Sequence, residues 1–70
     1  MVRMPDTIVR NMHPADNKAT IDIIKAEFME NGYGENKARK WIQTYLNIGV
    51  FEICGRTPDG KSELTTVWWN

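Results

Sequence analysis

The sequence predicts one small α+β domain, in which an N-terminal segment and two helices precede a C-terminal β-hairpin. The first observation is the helical spacing of apolar residues in two successive segments, residues 17–31 and 35–48. The second is the change to strand spacing after Gly49, and the third is the Pro58-Asp59-Gly60 turn that follows. All 70 residues are assigned to this domain, which is near the size limit for folding without disulfides or metals.

The N-terminal segment has no decisive pattern. Its Thr7-Ile8-Val9 run favours either an edge strand or the last turn of a short helix. His13-Pro14 ends this segment, because the residue before a proline avoids helical backbone angles. Asp16 or Asn17 is then expected to cap the next helix through a side-chain oxygen.

The first long helix is predicted to end near Asn31, at the Asn31-Gly32-Tyr33-Gly34 turn. Its core face follows i, i+3, i+7 spacing and consists of Ile21, Ile24 and Phe28. Ile23 lies round the back of this helix, with Ala19 and Ala26. We expect the N-terminal segment to cover Ile23, through Ile8, Val9 or Met12.

The second long helix has the clearest division into two faces. Ala38, Ile42 and Tyr45 share the predicted core side, flanked by Trp41 and Leu46. Six polar residues face the other way: Asn36, Lys37, Lys40, Gln43, Thr44 and Asn47. Glu35 or Asn36 is expected to open this helix, and Gly49 to close it in a left-handed conformation. We expect Trp41 and Tyr45 to belong to the core rather than to a stacking site for bases.

A β-hairpin is predicted from Val50 to Trp69, with its turn at residues 56–61. Cys54 lies inside the first strand and is expected to be a small buried group. Trp68 and Trp69 follow each other on the second strand, so their side chains should point to opposite faces. One indole is expected to pack on the N-terminal segment, which leaves the other as a candidate interface anchor.

Composition excludes several classes of protein. Nine basic and nine acidic side chains cancel, which argues against a polyanion binder held by overall charge. A single cysteine and a single histidine leave no set of zinc ligands and no nucleophile with its base. The chain has no long apolar run and no signal peptide, so we expect a cytoplasmic protein without membrane contact. We expect no enzyme activity and no cofactor.

The order of elements resembles the winged helix-turn-helix family. The resemblance rests on the helix Thr20–Phe28, the glycine turn, and the helix that contains Ala38, Ile42 and Tyr45. Family members commonly end the recognition helix with a leucine, a glycine and an apolar pair, which Leu46, Gly49 and Val50-Phe51 match. The chain departs from the pattern in its short N-terminal segment, which either substitutes for a full first helix or leaves that helix to a partner or a longer parent.

The resemblance implies binding of double-stranded DNA, as a small transcriptional or replication accessory factor such as phages and mobile elements encode. The recognition helix, about residues 35–48, would enter the major groove, and the wing, about residues 50–69, would reach the backbone or an adjacent minor groove. The implied base contacts are Asn36, Lys37, Lys40, Gln43 and Thr44; the implied backbone contacts are Arg39, Arg56 and Lys61.

Charge is consistent with this placement, since residues 35–47 carry three basic side chains and one acidic one, a balance of +2. An ordinary solvated helix face explains the same residues without DNA. A homodimer or larger assembly would strengthen the DNA binding of a weak single module.

The alternative function is a winged-helix module for protein interaction, docking through Trp69, the Ile23 side and the hairpin edge. A third possibility is the C-terminal winged domain of a longer protein.

Overall fold

The computed structural model describes residues 3–13 and 17–69. Within them it shows an α+β fold with three helices and a three-stranded antiparallel sheet. The helices are α1 (Pro5–Asn11), α2 (Ile21–Glu30) and α3 (Glu35–Asn47). The strands are β1 (Ala19–Thr20), β2 (Phe51–Arg56) and β3 (Ser62–Thr66). The predicted succession of two helices and a hairpin is therefore confirmed, and α1 and β1 complete it.

The N-terminal segment is a short helix rather than a strand. Pro5 stands at its start, where a missing backbone N–H costs no helical hydrogen bond. Asp6 in the first turn and Arg10 in the last turn suit the two ends of the helix dipole. Ile8 and Val9 are buried in the common core. The Thr7-Ile8-Val9 pattern alone fits both a strand and a helix.

Helix α2 begins later than the sequence predicted. Thr20 is its cap, since its Oγ1 accepts a hydrogen bond from the Ile23 N–H at 3.4 Å. Asn17 is therefore not the cap, and Asp16 and Pro14 lie outside the described residues. The helix cannot start earlier because Ala19 and Thr20 pair with Leu64 and Glu63 in the sheet.

The later start changes which residues of α2 are buried. Ile24 and Phe28 have no exposed surface, as predicted, but Ile21 is 36% exposed. Ile23 is 52% exposed, so the expected cover from the N-terminal segment is wrong. Ile8 and Val9 of that segment point into the main core instead. An apolar side chain therefore remains on the surface of α2.

Helix α3 has the inner face that its sequence predicts. Ala38, Ile42 and Tyr45 are at most 3% exposed. Trp41 is 37% exposed, however, so its predicted core role is wrong. Gly49 follows the helix with a φ of 83°, which confirms the left-handed ending.

The sheet has the strand order β1-β3-β2. The β2–β3 register is regular from Phe51 to Ile53 and shifts before Gly55, so that Cys54 forms a β-bulge. Alternation along the strand from the buried Phe51 places Cys54 on the outward side with Glu52, and Cys54 is exposed rather than buried. The predicted burial of this cysteine is therefore wrong.

Strand β3 ends at Thr66, earlier than the predicted Trp69. The two tryptophans therefore do not alternate across a strand. Trp69 is 7% exposed and its Nε1 donates a hydrogen bond to the Val9 carbonyl at 2.9 Å. Trp68 is half-buried and packs on Tyr45, with the Arg10 guanidinium 4.4 Å from the centre of its ring. Both indoles contact α1 or α3, and Trp69 is not an exposed interface anchor.

Candidate nucleic-acid interface

The outer face of α3 is the polar surface opposite Ala38, Ile42 and Tyr45. All six polar residues predicted for it are exposed: Asn36, Lys37, Lys40, Gln43, Thr44 and Asn47. Two local hydrogen bonds order it. Gln43 Nε2 donates to Asn47 Oδ1 at 3.0 Å, and Thr44 Oγ1 donates to the Lys40 carbonyl at 2.9 Å.

The charge of this face is positive. Lys37, Arg39 and Lys40 form no ion pair with any described residue. The only acidic residue of the helix, Glu35, lies 3.3 Å from Lys25 Nζ of α2. The single negative charge of α3 is therefore balanced from outside the helix, and its three cations face solvent.

The hairpin turn at residues 56–61 is well ordered by its own hydrogen bonds. The Thr57 N–H donates to the Lys61 carbonyl at 2.8 Å, and the Gly60 N–H donates to the Thr57 carbonyl at 2.9 Å. The Thr57 hydroxyl donates to the Asp59 carboxylate, which is the main reason that the pKa of Asp59 is lowered. Gly60 has a φ of 90°, as expected for the residue that rejoins the strand.

The two predicted cations of the turn differ in their surroundings. Arg56 is exposed and forms no ion pair with the residues that the structure describes. Lys61 forms an ion pair with Asp22 at the start of α2. The hydrogen bond from Lys61 and its positive charge lower the pKa of Asp22, and the same contact raises the pKa of Lys61. The charge of Lys61 is thus offset by a partner 39 residues away in sequence.

A groove lies along one flank of α3, beside the turn that joins it to α2. Its volume is about 630 Å³, and its lining residues are Gly32, Tyr33, Lys37, Lys40, Trp41 and Thr44. Tyr33 forms a fixed wall, because its hydroxyl donates to the Arg3 carbonyl at 2.8 Å. Sequence analysis missed this groove. The signal was the i, i+4 spacing of Lys37 and Trp41, which places a cation beside an indole.

An aromatic cluster behind the groove fixes α3 against the rest of the fold. The Tyr45 ring lies 5.7 Å from Trp41, 5.6 Å from Phe51 and 5.4 Å from Trp68, measured between ring centres. Its hydroxyl donates to Asp6 Oδ1 of α1 at 2.5 Å. Burial and this contact with a carboxylate raise the pKa of Tyr45. The cluster holds the outer face of α3 in one orientation.

Other site chemistry is limited in the described part of the chain. No group of three or more His, Cys, Asp and Glu side chains is placed there to hold a metal ion. None of the described helices has the length and apolar character that crossing a membrane requires. Comparison of the chain with protein-family models, with curated proteins and with solved structures finds no match.

Proposed function

We propose that the protein binds double-stranded DNA through α3 and the β2–β3 hairpin, as a winged-helix-like domain. The observation that carries the proposal is the outer face of α3, which is exposed, polar and positively charged. The element order supports it, because a short helix, a two-helix unit and a hairpin are compatible with the winged-helix layout. The neighbouring hairpin would then serve as the wing.

The dimensions of α3 suit a major groove. Its 13 residues span about 20 Å at a rise of 1.5 Å per residue. A helix of this kind fits a groove about 12 Å wide. Asn36 and Lys40 lie on its outward side, where an amide pairs with adenine and an ammonium donates to guanine. Gln43 and Thr44 extend the same surface, and Arg39 lies at its edge, where a phosphate is the expected partner.

Affinity should be modest for a single copy. The net charge of the chain is zero, so only the local charge of α3 and Arg56 attracts the phosphates. We therefore expect a dissociation constant on the order of 10⁻⁴–10⁻⁶ M for one copy on non-specific DNA. A homodimer or larger assembly on the DNA would supply additional affinity.

The test compares Lys37→Ala and Lys40→Ala with the matched control Lys18→Ala. All three lysines are exposed, but Lys18 lies on neither α3 nor the hairpin. Fluorescence anisotropy with a labelled duplex should show weaker binding for the two α3 variants. It should also show a shallower dependence on salt, by about one unit of slope for each lost phosphate contact. Parental binding by both α3 variants would contradict the proposal.

A protein-interaction module is the second candidate. Ile23 is 52% exposed and Ile53 is 60% exposed, and β2 has one neighbour in the described sheet. Open strand edges and exposed apolar side chains are typical of docking surfaces. Trp69 no longer contributes to this candidate, because it is buried. Absence of DNA binding together with loss of a protein partner in Ile53→Lys would favour it over the DNA proposal.

A further inference from the structure

We propose that the groove beside α3 binds an unpaired nucleotide of a DNA strand, with its base stacked on Trp41 and its phosphate held by Lys37 and Lys40. The inference rests on the proposed DNA binding and narrows its substrate class. The preferred DNA would be a duplex that carries an unpaired base, such as a bulge or the junction between a duplex and a single strand.

Trp41 supplies the stacking surface. It lies on the surface of α3 with 37% of its area exposed. Tyr45 packs against the indole at a ring-centre distance of 5.7 Å and a tilt of 33°. The indole is therefore supported from the core side, while Trp41 also lines the groove. Aromatic side chains bind bases of any sequence, because every base has a π-face.

Lys37 and Lys40 supply the charge. They are three residues apart on one helix, so their side chains are neighbours on its surface. The residues that line the groove include no acidic side chain, and neither lysine has an ion-pair partner among the described residues. Two adjacent like charges repel, and a bound phosphate would relieve that repulsion. An anionic group next to an aromatic ring is what a nucleotide offers.

The groove is preformed on its far side. Tyr33 is held at its hydroxyl by the Arg3 carbonyl and at its ring by Phe28, whose ring centre lies 5.3 Å away. Gly32 has a φ of 101°, a left-handed conformation that also leaves the opening free of a side chain. A volume of about 630 Å³ is within the range of small-ligand sites. Little ordering of the protein is needed on binding, which lowers its entropic cost.

The groove adjoins the outer face of α3. Three residues belong to both surfaces, since each lines the groove and lies among the exposed polar residues: Lys37, Lys40 and Thr44. A duplex held by the outer face would therefore place a displaced base within reach of Trp41. This juxtaposition favours an unpaired nucleotide beside a duplex over a free nucleotide.

The test measures binding of three fluorescent probes by anisotropy: a fully paired duplex, the same duplex with one extra unpaired thymine, and the same duplex with an abasic site there. The parent should bind the thymine probe on the order of tenfold more tightly than the other two. Trp41→Leu should bind all three alike. The control Ile48→Ala should keep the preference, because Ile48 is 65% exposed but does not line the groove.

Trp41→Phe keeps an aromatic ring and serves as a second variant in case Trp41→Leu does not fold. It should retain most of the preference for the thymine probe. In the parent, we expect this probe to quench the fluorescence of Trp41, and this quenching should be absent in Trp41→Phe. The remaining indoles, Trp68 and Trp69, are outside the groove lining. Thermal melts establish that each variant is folded.

Four results would overturn the inference. Equal binding of the paired and unpaired probes by the parent would refute the nucleotide site and leave the DNA proposal intact. A preference that persists in folded Trp41→Leu would place the base elsewhere. Tight binding of a phosphotyrosine peptide, without any preference among the DNA probes, would assign the groove to a protein partner. Failure of every DNA probe to bind would refute both proposals.

Discussion

The two ends of the β2–β3 hairpin are built in opposite ways. At the root, where Phe51 pairs with Thr66, both residues are at most 7% exposed, and Trp69 packs on Phe51 at 5.9 Å. At the tip, residues 56–61 are mostly exposed, and Lys61 forms an ion pair with Asp22 of α2. The root is part of the core, whereas the tip is held mainly by its own hydrogen bonds.

This difference should separate effects on stability from effects on the proposed DNA binding. Buried aromatic groups at the root contribute to the free energy of folding, because their exposure to water is costly. Exposed charges at the tip contribute little to that free energy, since water screens them. Substitutions at the root should therefore change stability first, and substitutions at the tip should change DNA binding first.

The largest effect is expected for Trp69→Ala at the root. It removes a buried indole and its hydrogen bond to the Val9 carbonyl, which should lower the free energy of unfolding by about 3–5 kcal/mol. Trp69→Phe keeps a smaller aromatic ring and loses the hydrogen bond, so a cost of about 1–2 kcal/mol is expected. Urea denaturation measures both. Equal stability of Trp69→Ala and the parent would remove the distinction between root and tip.

The free energy of unfolding should depend on pH through Tyr45, which packs against the root. Burial and the contact with Asp6 raise its pKa in the folded state above its ordinary value of 10.0. Its contribution to stability is therefore complete below about pH 10 and is lost as the pH rises further, because the unfolded chain ionises first. Urea denaturation at neutral and at alkaline pH should show this loss.

Tyr45→Phe is the control for that effect. It should be less stable at neutral pH by about 1 kcal/mol, through loss of the hydrogen bond to Asp6. It should also lose less stability than the parent in alkali. Tyr33 adds a smaller loss of stability at alkaline pH in both the parent and the variant, since burial raises its pKa as well. An identical alkaline loss in the variant would contradict the role assigned to Tyr45.

The smallest change in stability is expected for Asp22→Asn, which removes the ion pair between α2 and the tip. Both partners of the Asp22–Lys61 pair are more than half exposed, so its loss should leave the melting temperature nearly unchanged. The substitution releases Lys61 and removes a negative charge, so DNA binding should become tighter by a few fold and depend more steeply on salt. Anisotropy at two salt concentrations measures this. Weaker binding would show that the pair holds the tip in its binding position.

The parts of the fold with strong local signals could be predicted from the sequence. The inner face of α3 follows a 3.6-residue period, and the Thr57–Gly60 turn follows from the angles of proline and glycine. The polar outer face of α3 follows from the same period. Each of these features depends on residues within a few positions of one another.

The features that the sequence did not reveal depend on distant contacts. Strand β1 has only two residues, which exist as a strand because they pair with β3. Trp69 lies beyond the end of β3, and its Nε1 donates a hydrogen bond to the carbonyl of Val9, 60 residues earlier in the sequence. The ion pair of Lys61 with Asp22 joins the hairpin to α2 and has no local signal. Ile53, next to the bulge at Cys54, is 60% exposed, although period-two spacing from the buried Phe51 places it inward.

The most direct test of the DNA proposal is a heteronuclear NMR titration of the protein with a DNA duplex at low and then moderate salt. We expect shifts at the exposed residues of α3 from Asn36 to Thr44 and at the hairpin tip, residues 56–61, and we expect these shifts to fade as salt rises. The root of the hairpin and α1 should remain unperturbed. No shifts at low salt, or shifts confined to Ile23, Ile53 and the edge of β2, would contradict the DNA proposal.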